Sequence, residues 1–213
     1  MPRSRPRLPS DKRTAGAEDL HMEGKIHSAP SPTGTSLRFP AAPWPRNLKL
    51  ISAGGTALVL AAGVGAYLSI PAVPGFTHFF GLGIALVFPG ILVVALLYAV
   101  TGYVLKGNDL FVERPFFSTR IPLSGLSRIQ FEPRVCRGSV RIWGNGGLYS
   151  FTGLYRSKAV GTYRLFGTDL SRSVVLHLPR RAAVVTPAEP RAFLEYLRLR
   201  FPSAVAEPGE FPP

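Results

Sequence analysis

The stretch Trp143-Gly144-Asn145-Gly146-Gly147-Leu148-Tyr149 has the glycine density of a loop that wraps a phosphate. Such a loop needs backbone N–H groups around the anion, a Lys with Ser or Thr after the last glycine, and a helix N-terminus behind it. Here Leu148 and Tyr149 follow the last glycine, and more β-type pattern follows them. Asn145-Gly146 between two alternating runs is a hairpin signal instead, because a type I′ turn needs positive φ at both central residues. The sequence therefore assigns these glycines to backbone geometry.

Other reactive side chains are sparse. Cys136 is the single cysteine, so no internal disulfide forms, and it reads as a small buried or half-buried residue. His21, His27, His78 and His177 lack any metal-ligand spacing, and neither metal nor cofactor is expected. His177 reads as a surface strand residue. Asp109, Glu113, Glu132 and Asp169 are scattered, and no His stands near a Ser or Cys in a nucleophile spacing. The chain reads as a non-enzyme. The alternative is a membrane enzyme whose site is assembled by tertiary contact alone.

Positive charge is the stronger signal. Twenty-five Lys and Arg against 12 Asp and Glu give a formal charge of +13. That excess selects an anionic partner, either nucleic acid or an acidic membrane surface. Arg134, Arg137, Arg141, Arg156, Lys158 and Arg164 lie in or near the glycine-rich region, and with Lys106 on the first hairpin they are the candidates for holding anionic lipid or a partner. Tyr149, Phe151, Tyr155 and Tyr163 offer stacking surfaces for a nucleic acid, but no nucleic-acid motif accompanies them.

The elements that carry these residues begin with two apolar runs. Charged residues are 17% of the chain, against a norm of about 25%, so part of it is expected to avoid water. Leu50–Ile70 and Phe79–Leu105 carry no charge and are each long enough to cross ~30 Å of hydrocarbon. Pro71–Phe80 joins them without Lys or Arg, whereas Arg46 and Lys49 precede the first run and Lys106 and Arg114 follow the second. The positive-inside rule then places both termini in the cytoplasm, as a multi-pass protein of the cell (inner) membrane. Ala53, Ala57, Ala61 and Gly65 form a small-residue stripe for helix packing, with Gly81 and Ala85 as a shorter counterpart. The partner is expected to be the other helix or a second copy. Pro89 is expected to kink the second span.

Before the spans, residues 1–47 read as a disordered basic tail, in which Met22 offers a second start. Residues 48–105 hold the two spans, 106–201 a folded domain, and 202–213 a loose tail. Within the domain, Leu110 and Val112 alternate with Phe111 and Glu113. Further strands are expected over Phe116–Leu123, Leu126–Phe131, both arms of the glycine hairpin, and Gly161 to Phe166. Val174, Leu176 and Leu178 are expected inward with Val175 outward. A short strand, Ala182–Val185, then precedes a helix capped by Thr186, with Pro187 first, Glu189 at the capping-box position, and Phe193, Leu194, Leu197 and Phe201 inward. This amounts to an α+β, mainly β, domain: about seven strands in a bent antiparallel sheet or barrel, closed by a C-terminal helix.

The stretches "LFVERPFFSTRIPLSGLSRI", "RIWGNGGLYSFTGLYRSKAVGTYRLFGTDL" and "VVTPAEPRAFLEYL" carry a resemblance. In this order, after an apolar hairpin, they resemble bacterial membrane proteins with two transmembrane helices followed by a bacterial pleckstrin-homology-like domain. The resemblance implies that fold and its placement, and no reaction. Phosphoinositide-binding relatives outside bacteria carry Lys then Arg-x-Arg across the first hairpin. Here Lys106 and Arg114 stand alone, which argues against specific inositol phosphate recognition. The expected function is a membrane-anchored binding or scaffolding module. Its partner would be anionic lipid headgroups, a membrane-proximal protein or a second copy.

Overall fold

The computed structural model describes residues 36–70 and 75–207. The chain order is β1 (Leu37–Pro40), α1 (Arg46–Leu68), α2 (Phe76–Leu97), β2 (Gly102–Lys106), β3 (Asp109–Glu113), β4 (Ser118–Pro122), β5 (Arg128–Phe131), β6 (Val140–Gly146), β7 (Phe151–Ser157), β8 (Gly161–Gly167), β9 (Val174–His177), β10 (Ala182–Val185), α3 (Pro190–Arg200) and β11 (Val205–Glu207). The parts of both expected tails in residues 1–35 and 208–213 lie outside the described residues.

Both α1 and α2 are long and apolar enough to cross a membrane, and they present their side chains outward. Leu58, Leu68, Phe76, Leu86 and Val87 are exposed, which is the reverse of a soluble core helix. The second helix is shorter than its apolar run. It ends at Leu97, and Tyr103 and Leu105 belong to β2, where both are buried in the domain core. Thr101-Gly102 is a poor helix former, and two buried side chains on the next strand favour the extended form. Helix α2 runs through Pro89 without a break.

The two helices touch through glycines. A Cβ on Gly63 would lie 3.1 Å from Phe88 Cβ, and one on Gly81 would lie 3.0 Å from Ile70 Cγ1. Ala85 is buried at this contact. Gly81 and Ala85 thus face α1 as expected. The stripe Ala53, Ala57, Ala61, Gly65 does not face α2: all four residues are exposed. Buried Ser52 and half-buried Thr56, Val59, Gly63, Ala66 and Ile70 run along another face, one helical repeat that sequence spacing alone could not rank above the alanines. Carrying the antiparallel register from Gly63 against Phe88 and Ile70 against Gly81 back along α1 brings Ser52 level with the end of α2.

The domain consists of two sheets. One has the order β1-β2-β3-β4, and the other β11-β5-β9-β10-β8-β7-β6. Pairing is antiparallel except for β10 with β8 and β11 with β5. Between the sheets and under α3 lies one core, containing Tyr103, Leu110, Val112, Ile129, Phe131, Leu176, Phe193, Leu194 and Leu197. Tyr155, Tyr163, Leu165, Val175 and Val184 make a second core on the other face of the larger sheet. Val175 is therefore buried, not outward: β9 is covered on both faces, and such strands read as unbroken apolar runs.

Four further expectations change. First, β1 pairs with β2 across Leu37↔Leu105 to Pro40↔Gly102, so the last part of the expected tail is a strand of the domain. The helical pair is consequently an insertion between the first two strands. Second, Val205–Glu207 pairs with β5, so the C-terminal tail also begins as structure. Third, Phe116 and Phe117 lie in an exposed loop, and β4 starts only at Ser118. Fourth, Thr186 does not cap α3. That helix starts at Pro190 behind Glu189, with no side-chain cap.

Thr186 is instead the centre of a buried network. Its N–H donates to Tyr103 Oη at 3.0 Å, and its Oγ1 accepts from Thr168 N–H at 2.9 Å. Thr168 Oγ1 donates to Ala42 O, and Ala42 N–H donates to Thr186 O at 2.9 Å. Tyr103 Oη donates to Phe166 O at 2.7 Å. Gly167 makes room: a Cβ there would sit 2.6 Å from Thr186 Cγ2. The chain entering α1 is thereby held by the core of the sheet domain.

Candidate anion-binding site

The glycine hairpin forms, but with a different tip. Gly146 pairs with Phe151, leaving Gly147 to Ser150 as the loop. Positive φ falls at Gly144, Gly147 and Tyr149 rather than at Asn145-Gly146. Asn145 Oδ1 accepts from Leu148 N–H at 2.9 Å, and Tyr155 Oη donates to Asn145 O at 3.0 Å. These bonds hold Asn145 within β6, and a register shift near Ile142 completes the irregularity. The tip docks on α1. Tyr149 N–H donates to Ser52 Oγ at 2.9 Å, Ser52 Oγ donates to Gly147 O at 3.2 Å, and the Thr56 and Tyr149 hydroxyls lie 2.9 Å apart.

At the end of α2 the domain grips with a cation. Arg114 is 9% exposed, and its Nη1 donates to Tyr98 O, at the C-cap of α2, at 2.7 Å. The guanidinium carbon lies 4.9 Å from the Tyr98 ring centroid, 5.3 Å from that of Phe117 and 5.8 Å from that of Phe166. A cation at a helix C-terminus meets the negative end of the macrodipole, and the ring faces add cation–π attraction. Burial pulls the Arg114 pKa below its usual value; Tyr98 works against that shift and Arg164 adds to it. Arg114 is thus committed to holding the helix and does not offer a free charge to a ligand.

A second set of arginines meets elsewhere. On β4, Arg120 faces outward beside buried Ile121. On β8, Arg164 faces outward between buried Tyr163 and Leu165. Across the sheet Arg164 is in register with Ala183 of β10, and the turn before β10 is Pro179-Arg180-Arg181. Arg120, Arg164, Arg180 and Arg181 line one cavity of about 540 Å³, and among the described residues no Asp or Glu is in its wall. Ile121, Leu178, Pro179, Ala182 and Ala183 supply an apolar floor, and Ser124 a hydroxyl. Arg120 is braced by Asp109 at 2.8 Å, and Arg164 sits 5.0 Å from the Phe166 ring centroid. Planar guanidiniums in a shared concavity suit bidentate recognition of phosphate or carboxylate.

Of the residues singled out in the sequence, Arg164 lines this cavity. Arg141 lines a second cavity of about 400 Å³ with Cys136, Ser139, Tyr155 and Leu165. There burial raises the Tyr155 hydroxyl pKa, against the opposing field of Arg141, and it also raises that of the Cys136 thiol. Arg134 and Arg137 are exposed on the turn between β5 and β6. Arg156 is exposed near the end of β7 and Lys158 just beyond it, so both stand away from the tip that touches α1. Lys106 is exposed at the β2–β3 turn, the end of that hairpin away from Tyr98. The register Val140↔Arg156 sets Arg156 and Lys158 beside the start of β6, next to the turn that carries Arg134 and Arg137. Sequence reading missed Arg120, Arg180 and Arg181. The available signals were Arg120's alternation with Ile121 and the Pro-Arg-Arg turn. His177 is half-buried on β9. Among the described residues no three His, Cys, Asp or Glu side chains gather.

Residues 101–201 match a family model described as Bacterial PH domain. No curated protein and no solved structure matches the chain. The matched span covers β2 to α3 and leaves out β1.

Proposed function

Because the chain carries a bacterial PH domain over residues 101–201, we propose that it is a membrane-anchored binding module whose domain takes an anionic group into the arginine cavity. One observation carries the reading: Arg120, Arg164, Arg180 and Arg181 converge on about 540 Å³ with no acidic residue in the wall among those described. Phosphate-bearing headgroups of the membrane that holds the helices are the nearest anions. Each basic residue near an anionic surface contributes about 1 kcal/mol. Arg46 and Lys49 lie in the first turn of α1 and Lys106 follows α2, which supports a cytoplasmic domain.

The test uses the full chain in neutral detergent micelles, titrated with inorganic pyrophosphate and followed by the shift in melting temperature. Stabilisation that falls with salt and is lost in Arg164→Gln with Arg181→Gln supports the reading. Equal stabilisation of the double variant, or none in the parent, overturns it.

A scaffolding role rests on a different surface. Strand β6 is the outer strand of its sheet, and Val140, Ile142 and Trp143 are exposed along it, Trp143 by 80%. An open apolar edge of this kind is a pairing surface for another chain. Cross-linking from Trp143→Cys in membranes should trap a partner or a second copy, and monomer alone would remove this role.

A further inference from the structure

We infer that the loop Pro115-Phe116-Phe117 is a wedge into the bilayer, set at the level where α2 leaves the hydrocarbon. The inference rests on the reading of α1 and α2 as membrane spans and goes beyond it, since it assigns the lipid a contact with the folded domain itself.

Phe116 is 82% exposed, with exposed Pro115 and Phe117 on either side. A large aromatic side chain left in water forgoes the free energy of burial, so a loop tip of this kind calls for a cover. The structure places it. Phe117 packs edge-on against Tyr98, ring centroids 5.2 Å apart, and Tyr98 is the C-cap of α2. Val93, Val94, Leu96 and Tyr98 are exposed along the end of α2, so the outward apolar surface of the helix runs on into the loop. Arg114 locks the loop base: its N–H donates to Phe117 O at 3.0 Å and its Nη1 to Tyr98 O.

An independent contact fixes the level. Tyr149 N–H reaches Ser52 on α1, and Ser150 Oγ reaches Tyr98 O on α2 at 3.4 Å. Ser52 and Tyr98 therefore lie level, in agreement with the glycine register. Trp44 stacks on Tyr149 with ring centroids 6.1 Å apart. Trp44, Tyr149, Tyr98, Phe117 and Phe116 gather where the helices meet the domain, the composition of an interfacial belt. Apolar side chains at such a boundary reach about 5–10 Å into the headgroup and acyl region. The occupant of the wedge surface is the lipid around α2.

The experiment uses the full chain reconstituted in vesicles. Cys136→Ser removes the native thiol, and single cysteines carry an environment-sensitive fluorophore at Phe116→Cys, Leu86→Cys on the outer face of α2, or Lys106→Cys at the β2–β3 turn. Quenching by brominated acyl chains and by aqueous iodide is then compared. The expected result is lipid quenching at 116 and 86, little at 106, and iodide quenching strongest at 106. Lipid quenching at 86 but not at 116 overturns the wedge and leaves the spans intact. Shielding of 116 from both quenchers means that protein covers the loop, which also overturns it. Quenching of 106 by lipid as strongly as 116 reduces the contact to general adsorption and overturns the specific site. Absence of lipid quenching at 86 removes the spans themselves, and the wedge with them.

Discussion

The sheet domain holds the two helices by opposite means. Ahead of α1, the chain at Ala42 is tied to Thr168 and Thr186 by neutral hydrogen bonds in a closed buried network that includes Tyr103. Behind α2, the grip is a buried cation against a helix end and three rings, with Arg114 Nε left without a partner. The first is built from backbone and hydroxyl groups that satisfy one another and belongs to the core. The second exploits a charge that only the helix dipole and the aromatic faces compensate. Loss of a member should therefore unfold the domain in the first case, and loosen the helix from an intact domain in the second.

The largest effect should come from Phe39. It is buried, on a strand outside the family match, and meets the Phe193 ring edge-on at 5.0 Å. Phe39→Ala should cost about 3–5 kcal/mol by denaturant unfolding of the domain. A fragment starting at residue 101 should be less stable than one that keeps residues 36–45 covalently attached. Equal stability would remove β1 from the core and weaken the comparison at its root.

Next is the neutral network. Thr186→Val keeps the shape but leaves Thr168 N–H without its acceptor, at about 1–3 kcal/mol. Gly167→Ala should cost a similar amount by crowding Thr186. Both should lower the melting temperature of the whole domain.

Arg114→Lys should have a smaller effect on the domain and a larger one on the junction. A lysine keeps the charge but loses the planar stack over Tyr98 and Phe117. Hydrogen exchange should rise at residues 98–101 and 114–117 while the β9–β10 core stays protected. Loss of protection throughout would erase the distinction between the two grips.

The smallest effect is in the alkaline limb. Burial pushes the Tyr103 hydroxyl up to about 12, well above the usual 10. The folded state then keeps a proton that the unfolded chain releases, so this contribution is intact below pH 10 and fades as pH rises toward 12. Tyr163 is also raised by burial and adds to the same limb. Tyr103→Phe should be less stable near neutrality, with Thr186 N–H and Phe166 O deprived of their bonds to the Tyr103 hydroxyl, yet lose stability less steeply between pH 10 and 12. An unchanged slope would place Tyr103 outside the network.

Periodicity shows one face at a time, and that sets what was readable. The alternation of Leu110 and Val112, and the spacing of Phe193, Leu194 and Leu197, were legible because a strand or helix repeats its buried face locally. Val175 was not, because burial on both faces has no period to read. The small-residue stripe on α1 was visible, but the face that α2 takes depends on Gly63 meeting Phe88, a contact between two helices. Thr186 had the spacing of a cap and was drawn into the core by Thr168, 18 residues earlier.

Local chemistry in the sequence determined the two apolar helices, the glycine hairpin, the mainly β domain and its closing helix, since each rests on hydropathy, turn residues or repeat within a short window. Tertiary structure alone decided that β1 belongs to the domain, that Arg114 is buried, and that Arg164 joins Arg120, Arg180 and Arg181. Those arginines come from two sheets and a turn. Their meeting depends on how the sheets pack, which no short window of sequence contains.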